Sequence, residues 1–217
     1  MNFKYAIFDM DGTLIDSMYL WRTNEISLMQ EYVGKKFDIK LTEKLKILPL
    51  RQMIEYINKN FGTNIDVKTA GDASDEKMYK NYIEGKIKVK PYVFEYLLHL
   101  KSQNIKIALA TATPKSLCVP FLEKVGLLEY FDVIATTKDD VNIGKSRGPD
   151  VYDFALKKLG GTKDNTVIFE DVLVAVKTAK NAGYYVISVY DEMQGNTREE
   201  IINISDKFIN NYKEMMV

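Results

Sequence analysis

Residues 4–17 read KYAIFDMDGTLIDS, a short apolar strand running straight into an acidic turn. The run from Phe3 to Phe8 has strand length, and Gly12 supplies backbone freedom just beyond Asp9 and Asp11. Two carboxylates two residues apart at a strand exit can converge on one site. Such a pair repels itself unless a cation sits between its members. Taken alone, Asp-x-Asp-Gly is also an ordinary acidic turn. Its meaning therefore depends on what the rest of the chain brings beside it.

From Pro91 onward, short apolar strands alternate with helices. The helix PYVFEYLLHLKSQ precedes the strand IKIALATA, and a helix around SLCVPFLEKVG precedes DVIATT. Then follow the helix PDVYDFALKKLG, the strand TVIFED, the helix VLVAVKTAKNAG and the strand YYVISVYD. Such alternation predicts a parallel sheet covered on both faces. Pro120 should kink its helix or mark its start. The last segment, SDKFINNYKEMMV, fits either a short strand or a helix.

Between the first strand and Pro91 the pattern is helical only. Residues 17–33 read as a helix capped by Asp16 or Ser17. LTEKLKIL, PLRQMIEYINKNF and SDEKMYKNYIEG are three further candidates, with Thr42 and Ser74 as caps and Pro49 at a helix start. Gly62 to Gly71 reads as a polar loop. The expected architecture is an α/β, doubly wound parallel sheet (Rossmann-like) made of residues 1–15 and 90–217. An all-helical cap domain, residues 16–89, is inserted after its first strand.

Composition narrows the function. The chain has 217 residues, and 30 Lys and Arg balance 30 Asp and Glu. A neutral total argues against nucleic acid as a partner. No stretch reaches the length of a membrane span, and no leader pattern precedes the first strand, so the expected location is cytoplasmic. One cysteine, Cys118, cannot form an internal disulfide and sits among apolar residues, as a core thiol does. One cysteine and one histidine also leave any metal to oxygen ligands.

In a doubly wound sheet the ligand site lies beyond the C-terminal strand ends. After Phe8 stand Asp9 and Asp11. After Leu109 come Ala110, Thr111, Ala112 and Thr113, a hydroxyl with free N–H groups suited to a phosphate oxygen. The loop NIGKSRGPD carries Lys145 and Arg147, and Glu170 with Asp171 follows TVIF. Each group alone fits an ordinary turn, cap or solvated loop. Together at one sheet edge, nucleophilic acid, hydroxyl, cation and a second acidic pair are the components of phosphoryl transfer.

The ordered set also resembles a known family. DMDGTLIDS at 9–17 resembles the first motif of the haloacid dehalogenase-like hydrolases. ATAT at 110–113, GKSRGPDVY at 144–152 and FED at 169–171 resemble the second, third and fourth. The resemblance spans essentially the whole chain, and the helical insert is similar to the cap of the β-phosphoglucomutase and phosphoglycolate phosphatase group. It implies Asp9 as nucleophile, Asp11 as general acid/base, Thr111 with Ala112 as phosphate contacts, and Lys145 as the fixed cation. It further implies Mg2+ held by Asp9, the backbone carbonyl of Asp11, Glu170 and Asp171. Asp11 favours phosphate chemistry, because the dehalogenases proper lack a second motif aspartate.

Two departures stand out. Lys145 precedes Pro149 by four residues where three are usual, which makes Arg147 an alternative cation. Val172 replaces the small hydroxyl residue that usually follows the acidic pair.

The cap is expected to supply most substrate contacts and to exclude water. Trp21, Arg22 and Arg51 are its candidate binding residues, with Lys44 and Lys46 behind them; helix packing competes for Trp21 and solvent for the arginines. His99, the single histidine, falls on the more polar side of a core-domain helix. Sugar phosphomutases of the group use a cap histidine near the first motif, and Met18 to Arg22 contain none. The leading expectation is a phosphatase acting on a small phosphorylated metabolite, with sugar phosphates among the candidates. The alternative is a β-phosphoglucomutase-like sugar phosphate mutase. A monomer or weak dimer is expected.

Overall fold

The computed structural model describes residues 3–85 and 87–216. Contacts divide the chain into two compact units, Met1–Asp16 with Lys88–Val217, and Ser17–Ile87. The first is a six-stranded, all-parallel sheet in the order β3-β2-β1-β4-β5-β6. Its strands are β1 (Tyr5–Phe8), β2 (Lys106–Thr111), β3 (Val133–Thr136), β4 (Thr166–Glu170), β5 (Tyr185–Val189) and β6 (Lys207–Ile209). Helices α5 (Val93–Ser102), α6 (Lys115–Lys124), α7 (Asp150–Leu159), α8 (Leu173–Asn181) and α9 (Arg198–Ile204) connect them. This is the doubly wound α/β arrangement, and the helical unit after β1 is its cap.

Strand alternation explains the two-faced core. On one face Ile7, Ala108, Ala110, Ile168 and Val186 pack with Val151, Ala155 and Val176 from α7 and α8. Next along the chain, Phe8 points to the other face, where its ring stacks on Phe169 at 4.3 Å and meets Tyr96 and Tyr212. Full burial of each such side chain contributes roughly 1.5–3 kcal/mol. Chain order reverses beside β1, because β2 and β3 lie on one side and β4 on the other. That switch point opens a crevice at the C-terminal ends of β1 and β4.

The two connections between the units belong to the sheet unit by hydrogen bonding. Ile15 bridges Val89, Asp16 N–H donates to the Lys88 carbonyl, and Lys90 N–H donates to the Leu14 carbonyl.

The helical unit consists of α1 (Met18–Val33), α2 (Ile39–Lys46), α3 (Leu50–Phe61) and α4 (Val67–Ile83). Its core includes Ile26, Met29, Leu45, Met53, Ile54, Ile57 and Ala70. Here the expectations need correction. The end of the proposed Gly62–Gly71 loop is already helix, because Asp66 accepts the Thr69 N–H at 2.8 Å and starts α4 there. Gly71 is carried inside that helix, and Ser74 is a buried interior residue instead of a cap. Likewise Asp38, by accepting the Leu41 N–H, caps α2, and Thr42 lies within it. Hydrophobic spacing alone places both helix starts too late, at Leu41 and Ser74, where the capping aspartates are Asp38 and Asp66.

In the sheet unit α6 runs through Pro120 from a start at Pro114. Pro120 and Ser116 are exposed, so water can take the carbonyl that the missing N–H leaves free. The C-terminal segment forms β6 and a short turn at Tyr212–Met215.

Candidate active site

The hydrogen bond from Asp9 N–H to the Phe169 carbonyl, 3.0 Å, holds the residue after β1 against β4. Asp9 is buried there beside Glu170 and Asp171, the end of β4 and the residue beyond it. Gly12 follows with φ 82°, a left-handed conformation that favours glycine. The turn closes by Leu14 N–H donating to the Met10 carbonyl and Gly12 N–H to the Ile15 carbonyl. A single tight loop thus presents Asp9, Asp11 and Thr13.

Lys145 enters from the loop before α7. Its ammonium donates to Oδ1 of Asp9 and to Oε1 of Glu170, both at 2.5 Å. The same Glu170 oxygen accepts the Tyr152 hydroxyl at 2.6 Å. Arg147 is exposed and has no contact with this cluster among the described residues. Asp171 is held by Thr13, whose hydroxyl donates to Oδ1 at 3.0 Å, and by Gln194, whose amide donates to its backbone carbonyl.

Asp11 is half-buried, and its Oδ2 accepts the Thr113 hydroxyl at 2.6 Å. Thr111 ends β2 fully buried, with its hydroxyl accepting the Thr113 N–H at 3.1 Å. Ala112 is exposed in the turn between them.

The electrostatics ask for a cation. Oxygens of Asp9, Glu170 and Asp171 all lie within 4.8 Å of one another, and among the described residues theirs is the one such group. One ammonium contacts two of the three buried carboxylates, Asp9 and Glu170, so the group carries an excess of two negative charges when all three are ionised. Burial pushes the Asp9 carboxyl up to about 8, against the pull of Lys145 and with the push of Glu170 and Asp11. Burial likewise raises Asp171, with Asp9 and Glu170 adding to it. Burial opposes the Lys145 charge, but Asp9 and Glu170 outweigh it and hold the ammonium above the ordinary lysine value. An all-oxygen donor set with an excess of two charges fits a hard divalent ion such as magnesium. The carboxylate of Asp11, bound to Thr113, is not in that group.

The family profile of the haloacid dehalogenase-like hydrolases matches residues 6–189. The chain belongs to this family. It is an enzyme with an aspartate-based site. A "Phosphorylated carbohydrates phosphatase" from Thermotoga maritima is 31% identical over 181 residues, covering 82% of this chain and 81% of its own. Among solved structures, CbbY from Rhodobacter sphaeroides in complex with phosphate superposes with a TM-score of 0.79 at 22% identity, covering 98% and 96% of the two chains. A β-phosphoglucomutase from Clostridium difficile gives 0.77 at 21%, covering 98% and 93%. At these identities the two structures speak for the fold.

The cap candidates lie in the helical unit. The Trp21 indole N–H donates to the Tyr82 hydroxyl at 3.3 Å, and the two rings meet edge to face. Arg22 is paired with buried Glu25 at 2.7 Å. Arg51 is exposed at the start of α3. Lys44 lies over the Tyr56 ring, and Lys46 pairs with Glu43. His99 is half-buried on α5, beside Gln103 and Tyr96.

Several residues at the site were not singled out from the sequence. Thr13 and Thr113 stand within the quoted motifs and were open to the same strand-end argument. Tyr152 reads as one more apolar position of α7. Gln194 lies outside every motif and carries no local signal.

Proposed function

We propose that this protein is a magnesium-dependent phosphatase that hydrolyses a small phosphorylated metabolite through an aspartyl-phosphate on Asp9. The observation that supports it best is the Lys145 ammonium shared between Asp9 and Glu170, in one buried group with Asp171, while Asp11 two residues on from Asp9 is held by Thr113.

In this reading Asp9 attacks phosphorus, forming an acyl phosphate as the ester P–O bond breaks. Asp11, oriented by Thr113, gives its proton to the departing alcohol. It then takes a proton from the water that attacks phosphorus and releases Asp9. Lys145 offsets negative charge on the phosphoryl oxygens and keeps the Asp9 oxygen in place. Thr111 and the backbone N–H groups that follow it bind the phosphate. Asp9, Glu170, Asp171 and the Asp11 carbonyl would hold Mg2+, which when bound supplies positive charge to the phosphoryl group.

For the substrate, the named activity of the Thermotoga maritima relative supports a phosphorylated carbohydrate. Trp21, Arg22 and Arg51 are the cap residues proposed to bind its other end. Hydrolysis is preferred to mutase chemistry because Met18 to Arg22 contain no histidine and His99 lies on α5. No helix among the described residues is long and apolar enough to cross a membrane.

Asp9→Asn tests the nucleophile. Turnover of sugar phosphates should fall about 10⁴-fold or more while the fold persists by circular dichroism. Normal turnover by the pure, magnesium-loaded variant would end the reading.

A further inference from the structure

Asp171 is fixed at three points. Its N–H donates to Oε2 of Glu170 at 3.2 Å, and its Oδ1 accepts the Thr13 hydroxyl. The third point comes from a different strand end: Nε2 of Gln194 donates to the Asp171 carbonyl at 3.0 Å and to the Val189 carbonyl at 2.8 Å. Both partners are acceptors, so the amide orientation is determined. The next residue, Val172, has an apolar side chain that can make no hydrogen bond to the loop.

Gln194 is itself built in. It is buried, its backbone carbonyl accepts the Thr197 hydroxyl at 2.6 Å, and Gly195 turns the chain after it with φ 48°. Asp191 starts this turn by accepting the Met193 N–H at 2.9 Å. The other Asp191 oxygen pairs at 3.0 Å with the buried ammonium of Lys90, which also donates to the Tyr190 carbonyl at 2.6 Å. Lys90 in turn is hydrogen-bonded through its N–H to Leu14, in the loop that begins with Asp9.

Oε1 of Gln194 is buried with no hydrogen-bond partner among the described residues. An unpaired buried oxygen is a cost that an apolar residue of similar size would avoid. Keeping it makes sense where the donor on the same amide has a task.

We propose that Gln194 is a positioning residue that holds the Asp171 loop for the divalent ion, and that the Lys90–Asp191 pair holds Gln194. It rests on the reading of Asp171 as a metal ligand. The chain of contacts ties both ends of the site, the β1 loop and the β4 loop, to one turn after β5.

The test is magnesium titration of the full chain, read by calorimetry and by the rise in melting temperature. Gln194→Met keeps the volume and removes both the donor and the unpaired oxygen. Its metal-free melting temperature should stay near that of the unmodified protein, while its magnesium dissociation constant rises about tenfold or more. Lys90→Met should weaken magnesium binding and Lys90→Arg should largely restore it. Turnover of all of these should recover at saturating magnesium. Should Gln194→Met not fold, Asp191→Asn, which retains an oxygen for Met193, carries the same expectation. Dissociation constants within about twofold of the unmodified protein would overturn the positioning role alone, since metal-shell changes are normally larger. No magnesium binding by the unmodified protein would overturn it together with the metal reading.

Discussion

Nζ of Lys145 donates to Oδ1 of Asp9 across 136 residues of sequence, at 2.5 Å. The pair is buried and the ammonium has Glu170 as its second partner. Lys145→Met would leave two buried carboxylates facing each other. We expect kcat to fall about 10²–10³-fold, the scale of losing one fixed transition-state donor. Stability should fall by about 3–5 kcal/mol, as when one member of a buried pair is removed. Phosphate-release kinetics and urea unfolding measure the two effects. Unchanged kcat would remove Lys145 from the reaction.

Asp11 should show its proton role through the leaving group. For alkyl phosphates, Asp11→Asn should lower kcat by about 10²–10⁴-fold. The loss should be much smaller for p-nitrophenyl phosphate, because nitrophenolate departs without a proton. Equal losses on both substrates would place Asp11 elsewhere in the mechanism.

Removing the metal should act on activity and stability together. Chelation should abolish turnover, and magnesium should restore it. At a concentration 100 times its dissociation constant, the ion should add about 2.7 kcal/mol to the free energy of unfolding. The source of that gain is the excess of carboxylate over ammonium at Asp9, Glu170 and Asp171. Full turnover after exhaustive chelation would refute the metal requirement.

The cap unit should have its own pH dependence. Burial raises the Glu25 carboxyl above its ordinary value of 4.5, opposed by Arg22 and aided by Asp75. The folded unit therefore keeps the Glu25 proton to higher pH than the unfolded chain does. Above about pH 4.5 the unfolded chain releases that proton first, so stability declines as pH rises toward the folded value, and the penalty is complete beyond it. Glu25→Gln abolishes this slope. Its stability relative to the unmodified protein should rise with pH in urea titrations from acid to neutral. A difference that falls with pH would contradict the sign.

Much of the fold was legible because its signals are local. Apolar runs of strand length, each followed by a helix with a glycine or proline at its edge, required no knowledge of distant partners. Cys118 among apolar neighbours belongs to the same class and is buried, with its thiol pushed up to about 12 by burial. The errors were also local in kind. The polar start of α4 hid a helix whose cap is Asp66, because Gly71 and the short polar residues around it give little apolar spacing there. Helix α9, with its acidic first turn, offered too little apolar spacing to be noticed.

By itself, the sequence determined that an acidic pair ends a first strand, that further reactive groups end later strands, and that a helical unit interrupts them. These follow from periodicity and from the rule that parallel sheets gather ligands at one edge. Only the tertiary structure decided which cation meets Asp9, and it is Lys145, with Arg147 exposed. It alone brought the Tyr152 hydroxyl to Glu170, Thr113 to Asp11, and Gln194 to Asp171. Those contacts join residues 18, 102 and 23 positions apart, across separate elements. Hydrogen bonds of that span leave no periodic trace in a chain; they exist only once sheet register and helix packing have set the distances.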